Sequence, residues 1–277
     1  MKLAARLLVS FLSGKSQPQN LKTILRTSTG DTAAMLKIPD GNIYFPKETV
    51  KLAPVPKNGY ATSDILLLGD SFTNIYSLPA MNWGEHSGLA ETLSAELGRP
   101  VDVLVRNDAG AYASRQLLAL ELKRGNDRLR GKKFVVWEFA MRELACGDWK
   151  MIGLPEVKVS PNVPAAASKT GTGKILEAVV ISASQVPRPH SAPYKDHVMS
   201  LCISGKNGEK ILVYTIGMKD NVWQAPARLQ PGNRIRIRLS PWAQYERIYG
   251  GWNRSELDDE ELLTAEPVWG ELITGKP

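Results

Sequence analysis

Residues 64–72 read DILLLGDSF, and the fold of the first half of the chain turns on them. Ile65 to Leu68 form a short apolar run bounded by Asp64 and by Gly69-Asp70. A strand with both faces buried reads this way, because parallel sheets are covered by helices on either side. The pattern continues downstream. HSGLAETLSAELG (86–98) has helical periodicity and ends on a glycine suited to a helix C-terminus. VDVLV (101–105) is a second strand, ASRQLLALELKR (113–124) a second helix, and KFVVWEF (133–139) a third strand. Alternating strands and helices predict right-handed βαβ crossovers and a parallel sheet with helices on its faces.

Upstream, MKLAARLLVSFLSG (1–14) places Leu3, Leu7, Leu8, Phe11 and Leu12 at helical spacing. The expectation is an amphipathic helix packed on the core. Arg6 interrupts the apolar stretch and no A-x-A site follows, so no signal peptide is recognisable. Downstream, GLPEVKVSPNVPAAASKTGTG (153–173) is rich in Pro, Gly, Ser and Ala and has no periodicity, as a linker does. Beyond it the character changes. KILEAVVISAS, HVMSLCIS, EKILVYTIGM and NRIRIRLSPW read as strands, with hairpin chemistry at Lys206-Asn207-Gly208 and a turn at Pro231-Gly232. Ser255 and Asp258 resemble a capping box opening the short acidic segment ELDDEELL. The expected organisation is an α/β domain over 1–152, a linker over 153–173, and a small all-β domain over 174–277. The last would be a barrel of the OB type or a sandwich.

Composition excludes several classes. Hydrophobic residues make up 43% and charged residues 23% of 277, which argues against disorder, collagen or a coiled coil. No run reaches the roughly 18 apolar residues of a spanning helix. Two cysteines, Cys146 and Cys202, are too few for a disulfide scaffold. No C-x-x-C pair is present, so structural zinc is not expected, and no metal or cofactor enters the reading of the chain. The net charge of +7 divides between the halves without a polycationic segment, so nucleic acid is not the favoured partner.

The chemistry concentrates at one edge of the predicted sheet. Ser71 directly follows the first strand and enters a helix, and ligand sites of open α/β sheets lie at the carboxyl ends of strands. Its N–H is placed to hold a developing oxyanion; the plainer alternative is that Asp70 or Ser71 only caps the helix. Arg106-Asn107-Asp108-Ala109-Gly110-Ala111 follows the second strand at the same edge. The Asn107 amide and the Gly110 N–H could complete an oxyanion hole with Ser71, or form an ordinary turn. Arg115 and Arg142 fall at this edge too, where either could steady an acyl or carboxylate group or form a surface ion pair.

G-D-S-F after a strand, followed by an Asn–Gly loop after the next strand, resembles the SGNH (GDSL) hydrolase superfamily. The run from Asp64 to Lys150 is similar, more closely, to the SGNH-like domain of alginate O-acetyltransferases of the AlgX/AlgJ type. The resemblance covers roughly residues 1–150 and implies a three-layer α/β/α core with a parallel sheet. It also implies a serine that takes an acetyl group as an ester and passes it to a sugar hydroxyl. Ser71 matches the nucleophile. Asn107 and Gly110 match the oxyanion region, although Asn107-Asp108-Ala109 departs from its glycine-rich form. The implied partners are a polysaccharide or acetyl donor, and a protein of an exopolysaccharide acetylation system. The implied location is periplasmic or membrane-associated.

A serine nucleophile needs a base oriented by a third group. The group resembled carries an Asp-x-His upstream of its serine, and no histidine precedes Ser71 here. That lack, together with a chain that begins in mid-helix, raises the expectation that Met1 is internal to a longer protein. His86 lies at a predicted helix start, His190 in the proline-rich VPRPHSAP, and His197 next to Asp196 on a strand, where neighbouring side chains point to opposite faces. Two functions therefore stand. One is O-acetyl transfer to, or removal from, an extracellular polysaccharide through a Ser71 acyl-enzyme. The other is a catalytically inactive scaffold that binds carbohydrate or a partner protein. Lys123, Arg124, Arg128, Arg130, Lys132 and Lys133, with Arg234, Arg236 and Arg238 on a strand, are either solvated or ion-paired faces or attractors of a polyanion.

Overall fold

The computed structural model describes residues 1–12, 21–55, 63–107, 110–157, 173–192, 194–250 and 252–273. The chain divides into two units, Met1–Lys158 and Val159–Pro277. The first runs α1 (Lys2–Phe11), β1 (Ile24–Ser28), α2 (Gly30–Met35), β2 (Glu48–Leu52), β3 (Ile65–Gly69), α3 (Ser71–Asn74), α4 (Leu89–Leu97), β4 (Asp102–Val105), α5 (Tyr112–Lys123), β5 (Phe134–Trp137) and α6 (Glu143–Cys146).

β3 is the middle strand of a parallel sheet in the order β4-β3-β5. All five of its residues are buried. Its side chains alternate between two cores, as a strand's two-residue period requires. Ile65 and Leu67 pack with Ala5 and Val9 of α1 and with Leu89, Leu93 and Leu97 of α4. Leu66 and Leu68 pack with Leu104 of β4 and with Leu118 and Leu122 of α5. Each fully buried Leu or Ile contributes about 1.5–3 kcal/mol, so β3 anchors this unit. α4 ends at Gly98 in the left-handed conformation at φ 65°, which only glycine adopts without strain.

The expected three-layer α/β/α SGNH core does not form. Among the described residues, the parallel sheet has three strands. β1 and β2 pair antiparallel with each other, from Ile24↔Leu52 to Ser28↔Glu48, in a separate two-stranded sheet. Their residues are mostly exposed, Ile24 and Leu25 included, so they lack the two buried apolar faces that a strand between helix layers must offer. The face expected of the first helix is corrected in part, since Leu12 is buried and Leu8 packs beside it. Leu3, Leu7 and Phe11 of α1 are 58–79% exposed, and the stripe that packs is Ala5, Val9 and Leu12.

The second unit runs β6 (Lys174–Ala183), β7 (His197–Ser204), β8 (Lys210–Lys219), β9 (Val222–Trp223), β10 (Arg234–Pro241), α7 (Glu246–Tyr249), β11 (Arg254–Ser255) and β12 (Val268–Leu272). Among the described residues the largest sheet is here: seven strands in the order β11-β7-β6-β10-β12-β8-β9. A further β7–β8 pairing closes β7, β6, β10, β12 and β8 into a five-stranded barrel. Closure removes the unpaired edges that an open sheet would leave. Pairing is antiparallel around the ring except at β12–β8, where Val268 lies opposite Val213. Gly208, at φ 74°, makes the turn between β7 and β8. The capping box expected at Ser255 is absent. Ser255 lies in β11, and Asp259 caps the short 3-10 turn Glu260–Leu262 by accepting from the Glu261 N–H. Among the described residues, no helix is long and apolar enough to cross a membrane. The linker expectation falls largely on residues 158–172, outside the described residues.

Candidate functional site

The carboxyl ends of β3, β4 and β5 converge on one turn. At Asp70 the chain leaves β3 in an extended conformation and enters α3. The Asp70 carboxylate accepts from the Phe72 N–H at 2.7 Å, which caps α3, and from the Ala140 N–H beyond β5 at 3.0 Å. A Cβ on Gly69 would fall 2.1 Å from Thr73 Oγ1, so the turn closes this tightly only on glycine. Ser71 is the first residue of α3 and is half-buried. Neither its hydroxyl nor its N–H makes a hydrogen bond to a described residue.

Glu138, the residue after β5, straddles this turn. Its Oε2 accepts from the Asp70 N–H at 3.1 Å and from Thr73 Oγ1 at 2.8 Å. Burial pushes the Glu138 carboxyl above its ordinary pKa, and the Asp70 carboxylate beside it adds to the rise; the bonds from Thr73 and the Asp70 N–H oppose it. Asp70 and Glu138 thus tie the exits of β3 and β5 together around Ser71.

The exit of β4 is tied in as well. Arg106 N–H donates to Gly69 O at 3.2 Å. Asn74 Nδ2 donates to Asn107 Oδ1 at 2.9 Å. Asp108 and Ala109 lie outside the described residues. Gly110 has φ 68°, and a Cβ there would fall 2.7 Å from Glu143 Oε2. That same oxygen accepts the Ala111 N–H at 3.1 Å, next to the expected Gly110 donor. Among the described residues, the remaining donors on this side are the Ser71 N–H, the Gly110 N–H and Asn107 Nδ2.

The structure separates the two arginines. Arg115 donates through Nη2 to Lys150 O at 2.9 Å and lies 4.9 Å over the Trp137 ring. Burial pulls its pKa below the ordinary guanidinium value, and its Nε has no hydrogen-bond partner among the described residues. Arg142 is exposed, with Nε 3.5 Å from Glu143 Oε1. Neither bonds Ser71. The same holds for the histidines. His86 sits in a loop at φ 53°, its backbone bonded to Ser77 and Val55. His190 and His197 belong to the second unit. The arrangement therefore presents a hydroxyl, the Ser71 and Gly110 N–H groups and the Asn107 amide, without a base in contact among the described residues.

Four of these groups were not singled out from sequence: Glu138, Thr73, Asn74 and Glu143. Glu138 left one signal, a carboxylate directly at the end of an apolar strand at the same sheet edge. A further pairing, His197 Nε2 with Ser255 Oγ at 2.9 Å, joins residues 58 apart. His197 is buried and stacks on Tyr194, so it holds β11 against β7 inside the barrel unit. The basic segment after α5 is largely neutralised internally. Lys132 Nζ lies 2.9 Å from Asp102, both 4% exposed, and Arg128 binds the same carboxylate. On β10 the arginine stripe is exposed, with Arg238 paired to Glu271 at 3.6 Å.

No protein-family model matches this chain, and no curated protein matches it. Among solved structures, Pseudomonas aeruginosa AlgX is similar at a TM-score of 0.33 and 16% identity, over 84% of this chain and 57% of that one. The chain thus spans little more than half the length of that neighbour. An overlap this low does not equate the two folds.

Proposed function

We propose that the first unit handles an acyl group destined for, or removed from, a polysaccharide hydroxyl, with Ser71 as the nucleophile. One observation carries the reading: Ser71 stands at the carboxyl end of the central strand with its hydroxyl and N–H both unengaged by described residues, and the Asn107 amide is bonded one helical turn away. The Ser71 oxygen attacks the acyl carbon, and the carbonyl electrons move onto oxygen. The Ser71 proton goes to a base from outside the described residues. Collapse of the oxyanion breaks the bond to the donor alkoxide, which leaves with that proton. The acceptor oxygen repeats the sequence on the ester. The polysaccharide part rests on the resemblance of the G-D-S-F series, and a periplasmic or membrane-associated location belongs to the same reading.

A second reading, a scaffold that binds carbohydrate or a partner protein without catalysis, is favoured by a specific observation. The nearby Asp70 and Glu138 carboxylates accept structural bonds, and neither bonds the Ser71 hydroxyl. One experiment separates the two. The protein and Ser71→Ala are incubated with an aryl acetate, with and without imidazole as a replacement base, and the Ser71 peptide is weighed by mass spectrometry. Acylation at Ser71 that imidazole accelerates and the substitution abolishes supports the nucleophile. No adduct in any arm leaves the binding scaffold.

A further inference from the structure

We propose that Asn74 is a positioning residue that sets the polarity of the Asn107 amide, so that Asn107 turns its Nδ2 hydrogens, and not its oxygen, toward the acyl oxyanion. The inference rests on the reading of Ser71 as a nucleophile and adds a residue to that site.

An asparagine side chain accepts at one end and donates at the other. Turned one way it stabilises an oxyanion; turned the other way its oxygen repels one. Asn107 is exposed, so hydration alone does not choose between the two. In the structure Asn74 Nδ2 donates to Asn107 Oδ1 and so engages the oxygen. Asn107 Nδ2 is left with no acceptor among the described residues.

The placement follows from the helix. Asn74 is three residues after Ser71, and residues at that spacing share a helix face. Asn107 bonds to that face. Both supports are anchored: the Asp70 cap holds the start of α3, and Arg106 N–H to Gly69 O holds the exit of β4 beside the exit of β3. The pair spans 33 residues of sequence, so only the folded chain brings it together.

The test is the rate of imidazole-assisted Ser71 acylation, read by mass spectrometry, in wild type, Asn74→Ala, Asn74→Asp, Asn107→Ala and the Asn74→Asp/Asn107→Ala double variant. Loss of a side-chain oxyanion donor slows the step about 10²–10³-fold, which is the expectation for Asn107→Ala. Asn74→Asp offers only acceptors, so Asn107 must turn over to donate to it. It should slow acylation as much as Asn107→Ala and more than Asn74→Ala. In the Asn107→Ala background it should add little, because there is no amide left to turn. The comparison also cancels the bare effect of the new charge. A merely structural role predicts the reverse order, with the isosteric Asp milder than Ala, and that order overturns the proposal. Unchanged acylation in Asn74→Asp overturns it while leaving Ser71 as nucleophile. Absence of acylation in wild type removes the underlying reading and this inference with it. Matching thermal melts of wild type and Asn74→Asp show that the fold survives the change.

Discussion

Removing the Glu138 carboxyl should unlock the Ser71 turn, and the size of the effect can be worked from its bonds. In Glu138→Ala the Asp70 N–H and the Thr73 hydroxyl lose their acceptor. Asp70 is 5% and Thr73 0% exposed, so water does not readily replace it. Each buried donor left without a partner costs about 1–3 kcal/mol, giving roughly 2–6 kcal/mol in all. At about 2–4 °C per kcal/mol for a unit of this size, the melting point falls on the order of 10 °C. Glu138→Gln behaves differently, since its amide oxygen still accepts both bonds. Here pH gives the sign. Burial raises the folded-state pKa of Glu138 above the reference of 4.5, so the native state holds this proton more tightly than the unfolded state. Wild type therefore keeps the full contribution below about that reference and loses it as pH rises through the folded value. Glu138→Gln has no such proton. It should match wild type near the reference pH and exceed it at neutral pH. Urea titrations followed by near-ultraviolet circular dichroism, across acid to neutral pH, read both effects. An Ala variant within about 0.5 kcal/mol of wild type, the scatter of ordinary surface changes, would refute the strap. A Gln–wild-type difference that shrinks as pH rises would refute the pKa direction.

Two further outcomes follow from buried contacts. Lys132→Met removes one of the two cations on the Asp102 carboxylate, leaving Arg128 and the Val103 N–H, and removes the donor to Ser63 O, and should cost about 1–3 kcal/mol in urea unfolding. Gly110→Ala forces a side chain into left-handed backbone at φ 68° and presses on Glu143 Oε2. It should cost at least about 1–2 kcal/mol by thermal melting.

The local pattern of apolar residues was enough to place β3, β4, β5, α4 and α5, because helix and strand periods are written in neighbouring residues. Gly69-Asp70-Ser71 was legible for the same reason: a strand run, a small residue and an N-cap stand in sequence order. The number of strands in the parallel sheet was not legible. β1 and β2 were not marked in the sequence, and which partner they take depends on which faces can be buried; with their residues mostly exposed, they pair with each other. The apolar stripe of α1 misled in the same way, since Leu3, Leu7 and Phe11 satisfy helical periodicity whether or not anything covers them. The alternating arginines of β10 showed their common face in the sequence, yet their ring of neighbours came only from barrel closure. What surrounds Ser71 was decided by tertiary structure alone. Glu138 reaches the turn from 65 to 68 residues away and Asn107 reaches Asn74 across 33. Hydrogen bonds between side chains depend on position in space and carry no period along the chain. The sequence by itself could mark the serine, and only the fold could supply the carboxylate and the amides around it.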